Sequence, residues 1–160
     1  MENELTPRDP LMKGTLQLLK PSESFHKRVR IFFEEYGDAF LNPELISSFY
    51  ADCTVAADPS FVGGLKGSRE VLKEMKKVVE YQKKTGMRSL SPIAVEIGEI
   101  ASPHYLAIVT WGAFFEKTGD KLVSFKITYI LREKEETFQI IASISHEDER
   151  RMRSELGILT

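Results

Sequence analysis

The chain has 160 residues, with 22 Lys and Arg against 24 Asp and Glu, a formal net charge of −2. Hydrophobic residues make up 42% and charged residues 29%, which excludes a collagenous, low-complexity or wholly disordered chain. The near-neutral balance lacks the positive field that carries non-specific nucleic-acid binding, so no nucleic-acid partner is expected. One core and one domain suit this length. Cys53 is the only cysteine, which excludes an internal disulfide and a cysteine-based metal cage. Met1-Glu2-Asn3-Glu4 is neither basic nor apolar, and no apolar run approaches the roughly 20 residues of a membrane span. The expectation is a cytoplasmic protein that makes no membrane contact.

Residues 1–21 carry Pro7, Pro10 and Pro21 and a short patch of Leu16, Leu18 and Leu19. They read as an irregular N-terminal arm whose leucines dock on the domain or on a partner subunit. The domain proper spans 22–150, and 151–160 forms a C-terminal tail. The first helix has Ser22 or Ser24 as cap and Phe25, Val29, Phe32, Phe33, Tyr36 and Phe40 along one face. Asn42-Pro43 breaks it and starts a second, short helix, with Leu45, Ile46 and Phe49 turned inward.

A short strand at 51–57 follows, in which Cys53 is expected to be a small core residue. Asp58-Pro59 ends that strand, and 61–67 reads as a glycine-rich loop. Ser68 is positioned to cap a third helix with a stripe of Val71, Leu72, Met75, Val78 and Val79, stopped at Gly86. Its lysines interleave with Glu70, Glu74 and Glu80 at helix-pair spacing, which marks a solvated face. Four strands are then predicted near 88–100, 104–116, 121–135 and 136–146. Alternation places Trp111 with Val109 and Phe115, and Tyr129 with Phe125 and Leu131, on an inner face. The last strand groups Phe138, Ile140, Ala142, Ile144 and His146. The stretch 147–156 reads as a terminal helix expected to cover the open end of the domain.

Three stretches carry a resemblance. They are Phe40-Leu41-Asn42-Pro43-Glu44-Leu45 running into Phe49-Tyr50-Ala51-Asp52, then Gly67-Ser68-Arg69-Glu70, then Phe138-Gln139-Ile140 leading to Ser145-His146-Glu147-Asp148. In this order, over residues 22–150, the chain resembles the NTF2-like superfamily and its SnoaL-like branch. That resemblance implies an α+β fold, a cystatin-like cone in which helices pack inside a strongly bent antiparallel sheet, with a pocket in the open end. Its members include ketosteroid-isomerase-like enzymes, polyketide cyclases, dehydratases and modules without catalysis.

Several residues bear chemistry that such a pocket could use. Asp58, facing a desolvating cone, would be a general base for a proton next to a carbonyl; as part of Asp-Pro it equally suits a turn. His146, continuing the inner parity of its strand, would exchange protons near neutral pH with Asp148 as orienting partner. Tyr36, Trp111 and Tyr129 would line an apolar cavity and offer O–H and N–H donors to a ligand oxygen, or serve as plain core. No cofactor is implied. No metal site is expected either, since His26 and His104 do not converge with His146. The expected function is binding of a small hydrophobic ligand, with isomerase, cyclase or dehydratase chemistry on a carbonyl compound. The alternative is a non-catalytic ligand-binding or dimerisation module. The second sheet face carries Ile108, Phe114, Ile130 and Ile141, from which a homodimer is expected.

Overall fold

Ser22 accepts a hydrogen bond from the Phe25 amide and so caps the first helix, α1 (Glu23–Ala39). The computed structural model describes residues 17–159. The apolar stripe of α1 buries Val29, Phe32, Phe33 and Tyr36. Asn42 caps α2 (Pro43–Ser47) through a bond from the Leu45 amide, with Pro43 in the first turn. In α2, Ile46 is buried, but Leu45 keeps 54% exposure and so does not face inward.

Strands β1 (Tyr50–Asp58) and β2 (Phe61–Lys66) form an antiparallel hairpin, with Asp58 opposite Phe61. The glycine-rich loop is therefore a strand. Gly63 and Gly64 lower its propensity and disguise it, yet it pairs along its whole length. Helix α3 (Ser68–Lys84) starts at Gly67 without a side-chain cap; Glu70 instead reaches back to the Lys66 amide. Gly86, at φ 75°, supplies the left-handed turn that releases the chain into the sheet.

Strands β3 (Met87–Ala101), β4 (His104–Phe115), β5 (Val123–Lys134) and β6 (Thr137–Ser145) form the long antiparallel part. The sheet order is β2-β1-β6-β5-β4-β3. It is mixed rather than wholly antiparallel, because β1 joins β6 in parallel. Inward residues of β4 and β5, among them Val109, Trp111, Phe115, Tyr129 and Leu131, pack under α1 in one hydrophobic core. At Gly37 the helix backbone lies so close to β3 that a Cβ would stand 2.5 Å from the Leu90 carbonyl oxygen.

A β-bulge decides which residues of β6 face the interior. Leu131 pairs with Ile140 and Ile130 with Ala142, so Ile141 has no partner on β5. Past that point the phase is inverted: Ser143 stands opposite Tyr129 and Ser145 opposite Ile127, on the inner face. Ile144 faces outward and keeps 44% exposure.

The chain ends in α4 (Glu149–Glu155), capped by Asp148, whose Oδ1 accepts from the Arg151 amide at 3.0 Å. Arg153 and Ile158, within the stretch expected to be a tail, are buried against the domain. At the other end, the Leu19 carbonyl accepts from the Glu99 amide at 2.8 Å, and Leu18 rests against Gly98. Leu18 thus docks on the domain edge by its side chain, whereas Leu19 does so only by its backbone and keeps 71% exposure. Leu16, Pro7 and Pro10 lie outside the described residues. Cys53 points away from the core and is exposed, so it does not pack there. No helix among the described residues is long and apolar enough to cross a membrane.

Candidate functional site

Between α1, α3 and the inner face of the sheet lies a cavity of about 280 Å³, just below the roughly 300–1,000 Å³ usual for ligand pockets. Trp111, Phe125 and Tyr129 form its sheet wall, Tyr36 and Phe40 its α1 wall, and Met75, Val78 and Gln82 its α3 wall. Glu149 and Arg153 of α4 line it as well. A wider groove beside it is lined by Lys84, Lys117, Arg150 and Arg151, and Asp58 and Glu149 line both spaces.

Two hydroxyl-bearing pairs sit among the aromatic side chains of the lining. The Tyr36 and Tyr50 hydroxyls are 2.6 Å apart, and Trp111 Nε1 donates to Tyr129 Oη at 2.9 Å. Burial pushes the Tyr36 and Tyr129 phenols well above their ordinary value and that of Tyr50 up to about 12. All three therefore remain neutral O–H groups, able to donate to a ligand oxygen.

Glu149 is the titratable acid of the site. Burial pushes its carboxyl above the ordinary range. The Arg153 guanidinium opposes that effect, while the Asp58 and Glu147 carboxylates reinforce it. The contact between Glu149 Oε2 and Arg153 Nη2 is long, at 3.4 Å. Arg153 is fully buried, with the rings of Tyr81 and Phe115 packed 5.0 and 5.4 Å from its guanidinium carbon. Its Nε and Nη1 have no hydrogen-bond partner, nor do Gln82 Oε1 and Thr54 Oγ1.

Of the residues singled out from sequence, Tyr36, Trp111, Tyr129 and Asp58 line the cavity. Asp58 also serves its turn: its Oδ1 accepts from both the amide and the hydroxyl of Ser60, at 2.7 and 2.9 Å. His146 is corrected. The Ile141 bulge turns it to the outer face, where it is exposed and its Nε2 meets Thr128 Oγ1 at 2.6 Å. Asp148 does not orient it, since its carboxylate is committed to capping α4. Sequence reasoning missed Tyr50, Glu149 and Arg153. The Glu149–Arg153 pair had a legible signal in its i,i+4 spacing, hidden within a run of surface-like charges. Among the described residues, no three His, Cys, Asp or Glu gather into a group that could hold a metal.

No family model matches this sequence, and no curated protein matches it either. Solved structures do. A protein of unknown function with a cystatin-like fold from Nostoc punctiforme superposes with a TM-score of 0.61 at 16% identity, over 88% of this chain and 90% of its own. The fold is NTF2-like. An NTF2-like protein of unknown function from Shewanella oneidensis matches with a TM-score of 0.60 at 12% identity, over 76% of this chain and 98% of its own. A candidate dehydratase of the NTF2-like family from Streptomyces avermitilis gives 0.55 at 14% identity, over 78% and 96%. At these identities the likeness concerns the backbone, and the NTF2-like cavity must be interpreted from its own side chains.

Proposed function

We propose that the cavity binds a small hydrophobic carbonyl compound and moves a proton next to its carbonyl without a cofactor, as an isomerase, cyclase or dehydratase would. The observation that carries this reading is a largely buried carboxyl, Glu149, in the lining of a cavity that also holds neutral phenols. Raised proton affinity brings such a carboxyl closer to a useful general base or acid near neutral pH. In this reading Glu149 accepts the proton, and a hydroxyl of the Tyr36–Tyr50 pair donates to the developing enolate oxygen. Asp58 contributes its charge from the rim instead of acting as the base. The similarity to a candidate dehydratase is in keeping with this chemistry.

One observation favours the second reading, a non-catalytic binding module. Each phenol oxygen already has one partner within the protein, so the aromatic network holds together without a substrate. Proton exchange separates the two. Cyclic ketones such as 2-tetralone, incubated with the protein in deuterated buffer, should gain deuterium beside the carbonyl. Glu149→Gln should slow this by about 100-fold. Ketones that bind without exchanging would leave only the binding module.

We also propose that the outer sheet face pairs with a second copy of the chain. Ile93, Leu122 and Ile144 are exposed there, and Ile108, Phe114 and Ile130 are half-buried.

A further inference from the structure

Arg153 presents a buried cation that the protein alone does not satisfy. It is fully buried, yet two of its three guanidinium nitrogens have no acceptor, and its one carboxylate contact is long. A buried guanidinium is stable only when its donors are met by acceptors, preferably charged ones. Arg153 is among the residues that line the cavity, and its planar fork of N–H donors matches the two oxygens of a carboxylate.

We propose that the ligand of this cavity carries a carboxylate that docks on Arg153, so that its class is a small hydrophobic oxo acid rather than a neutral carbonyl compound. This rests on the reading of the cavity as a small-molecule site and narrows it. Nη2 bears one hydrogen on each edge of the fork, so a ligand carboxylate can take one edge while Glu149 keeps the other. The neighbouring carboxylates do not forbid an anion. Asp58 is held by Ser60, and Glu149 keeps its contact with Arg153. Lys84, Lys117, Arg150 and Arg151 line the adjoining groove, where they outnumber the carboxylates of Asp58, Asp148 and Glu149 and favour approach of a negative charge.

Calorimetric titration of the full chain with 2-naphthoate and with its isosteric amide, 2-naphthamide, tests this. The acid should bind about tenfold or more tightly than the amide, because only it supplies charged acceptors. Arg153→Met should bring the two affinities together, and Arg153→Lys should retain part of the preference. In the unmodified protein, the Arg153 Nε–H resonance should move on adding the acid and stay in place with the amide. That measurement stands even if the methionine variant does not fold. Equal binding of acid and amide, or a preference that survives Arg153→Met, would overturn the oxo-acid assignment and leave the cavity as a neutral-ligand site. Binding of neither probe would overturn both.

Discussion

At Glu149, two opposing effects meet within one contact. Burial favours the neutral carboxyl, Arg153 favours the carboxylate, and burial wins. The folded-state value therefore lies above the ordinary one near 4.5. A group shifted in this direction contributes stability that is fully present below its unfolded value and is lost as pH rises through its folded value. Glu149→Gln cannot titrate, so its stability relative to the unmodified protein should increase between pH 4.5 and neutrality. Urea midpoints at the two ends of that interval check this; a constant or falling difference would mean that pairing with Arg153 dominates. Trp111 offers a second test at this scale. It is fully buried and its Nε1 is bonded to Tyr129. Trp111→Ala should cost about 3–5 kcal/mol through the cavity it leaves. Tyr129→Phe should cost only about 1–3 kcal/mol, the penalty for leaving the indole N–H unpaired. Denaturant unfolding followed by circular dichroism ranks the two variants.

Elements differ in how much of them the sequence reveals, and the difference has a physical cause. The long strands were legible because one face of each is buried, which imposes strict alternation from Val123 to Leu131 and from Ala107 to Phe115. Helix starts were legible at Ser22 and Asn42 because a short polar side chain must satisfy free amides there. Strand β2 was not, because both of its faces are largely exposed and glycine interrupts it. The bulge in β6 was hidden for another reason: Ile140, Ile141 and Ala142 are all apolar, so a change of phase leaves no mark in hydropathy. That single extra residue moved His146 out of the candidate site and brought Ser143 and Ser145 in. The turn between β5 and β6 is open to a direct test. Glu135 and Glu136 both have positive φ, 52° and 63°, as a two-residue hairpin turn requires, where Asn-Gly is preferred. Replacing Glu135-Glu136 by Asn-Gly should raise stability by about 1–2 kcal/mol, because side chains larger than these pay for the left-handed region. A higher thermal midpoint with unchanged cavity binding would be the expected result. An unchanged midpoint would mean that the two glutamates are held there without strain.

For the whole molecule, the sheet has two faces with different fates. The inner one is closed by α1, α3 and α4, and the candidate site lies in what remains open between them. Among the described residues, no helix covers the outer one. Ile93, displaced from the β3 ladder by a register shift, folds with Leu122 over Gly112, and Ile144 stands on the strand across β5. These side chains are 46%, 47% and 44% exposed, an apolar surface in one chain that a second copy can remove from water. A two-fold pairing of identical faces is the simplest closed solution. Light scattering at high protein concentration should therefore give twice the mass of the 160-residue chain. Ile144→Lys together with Leu122→Lys should shift the population toward the single chain, by placing like charges on a face that must meet its own copy. The cavity lies on the opposite side of the sheet, so 2-naphthoate affinity should change little in that variant. A single-chain mass for the unmodified protein would remove the pairing, and the outer face would then have to tolerate water.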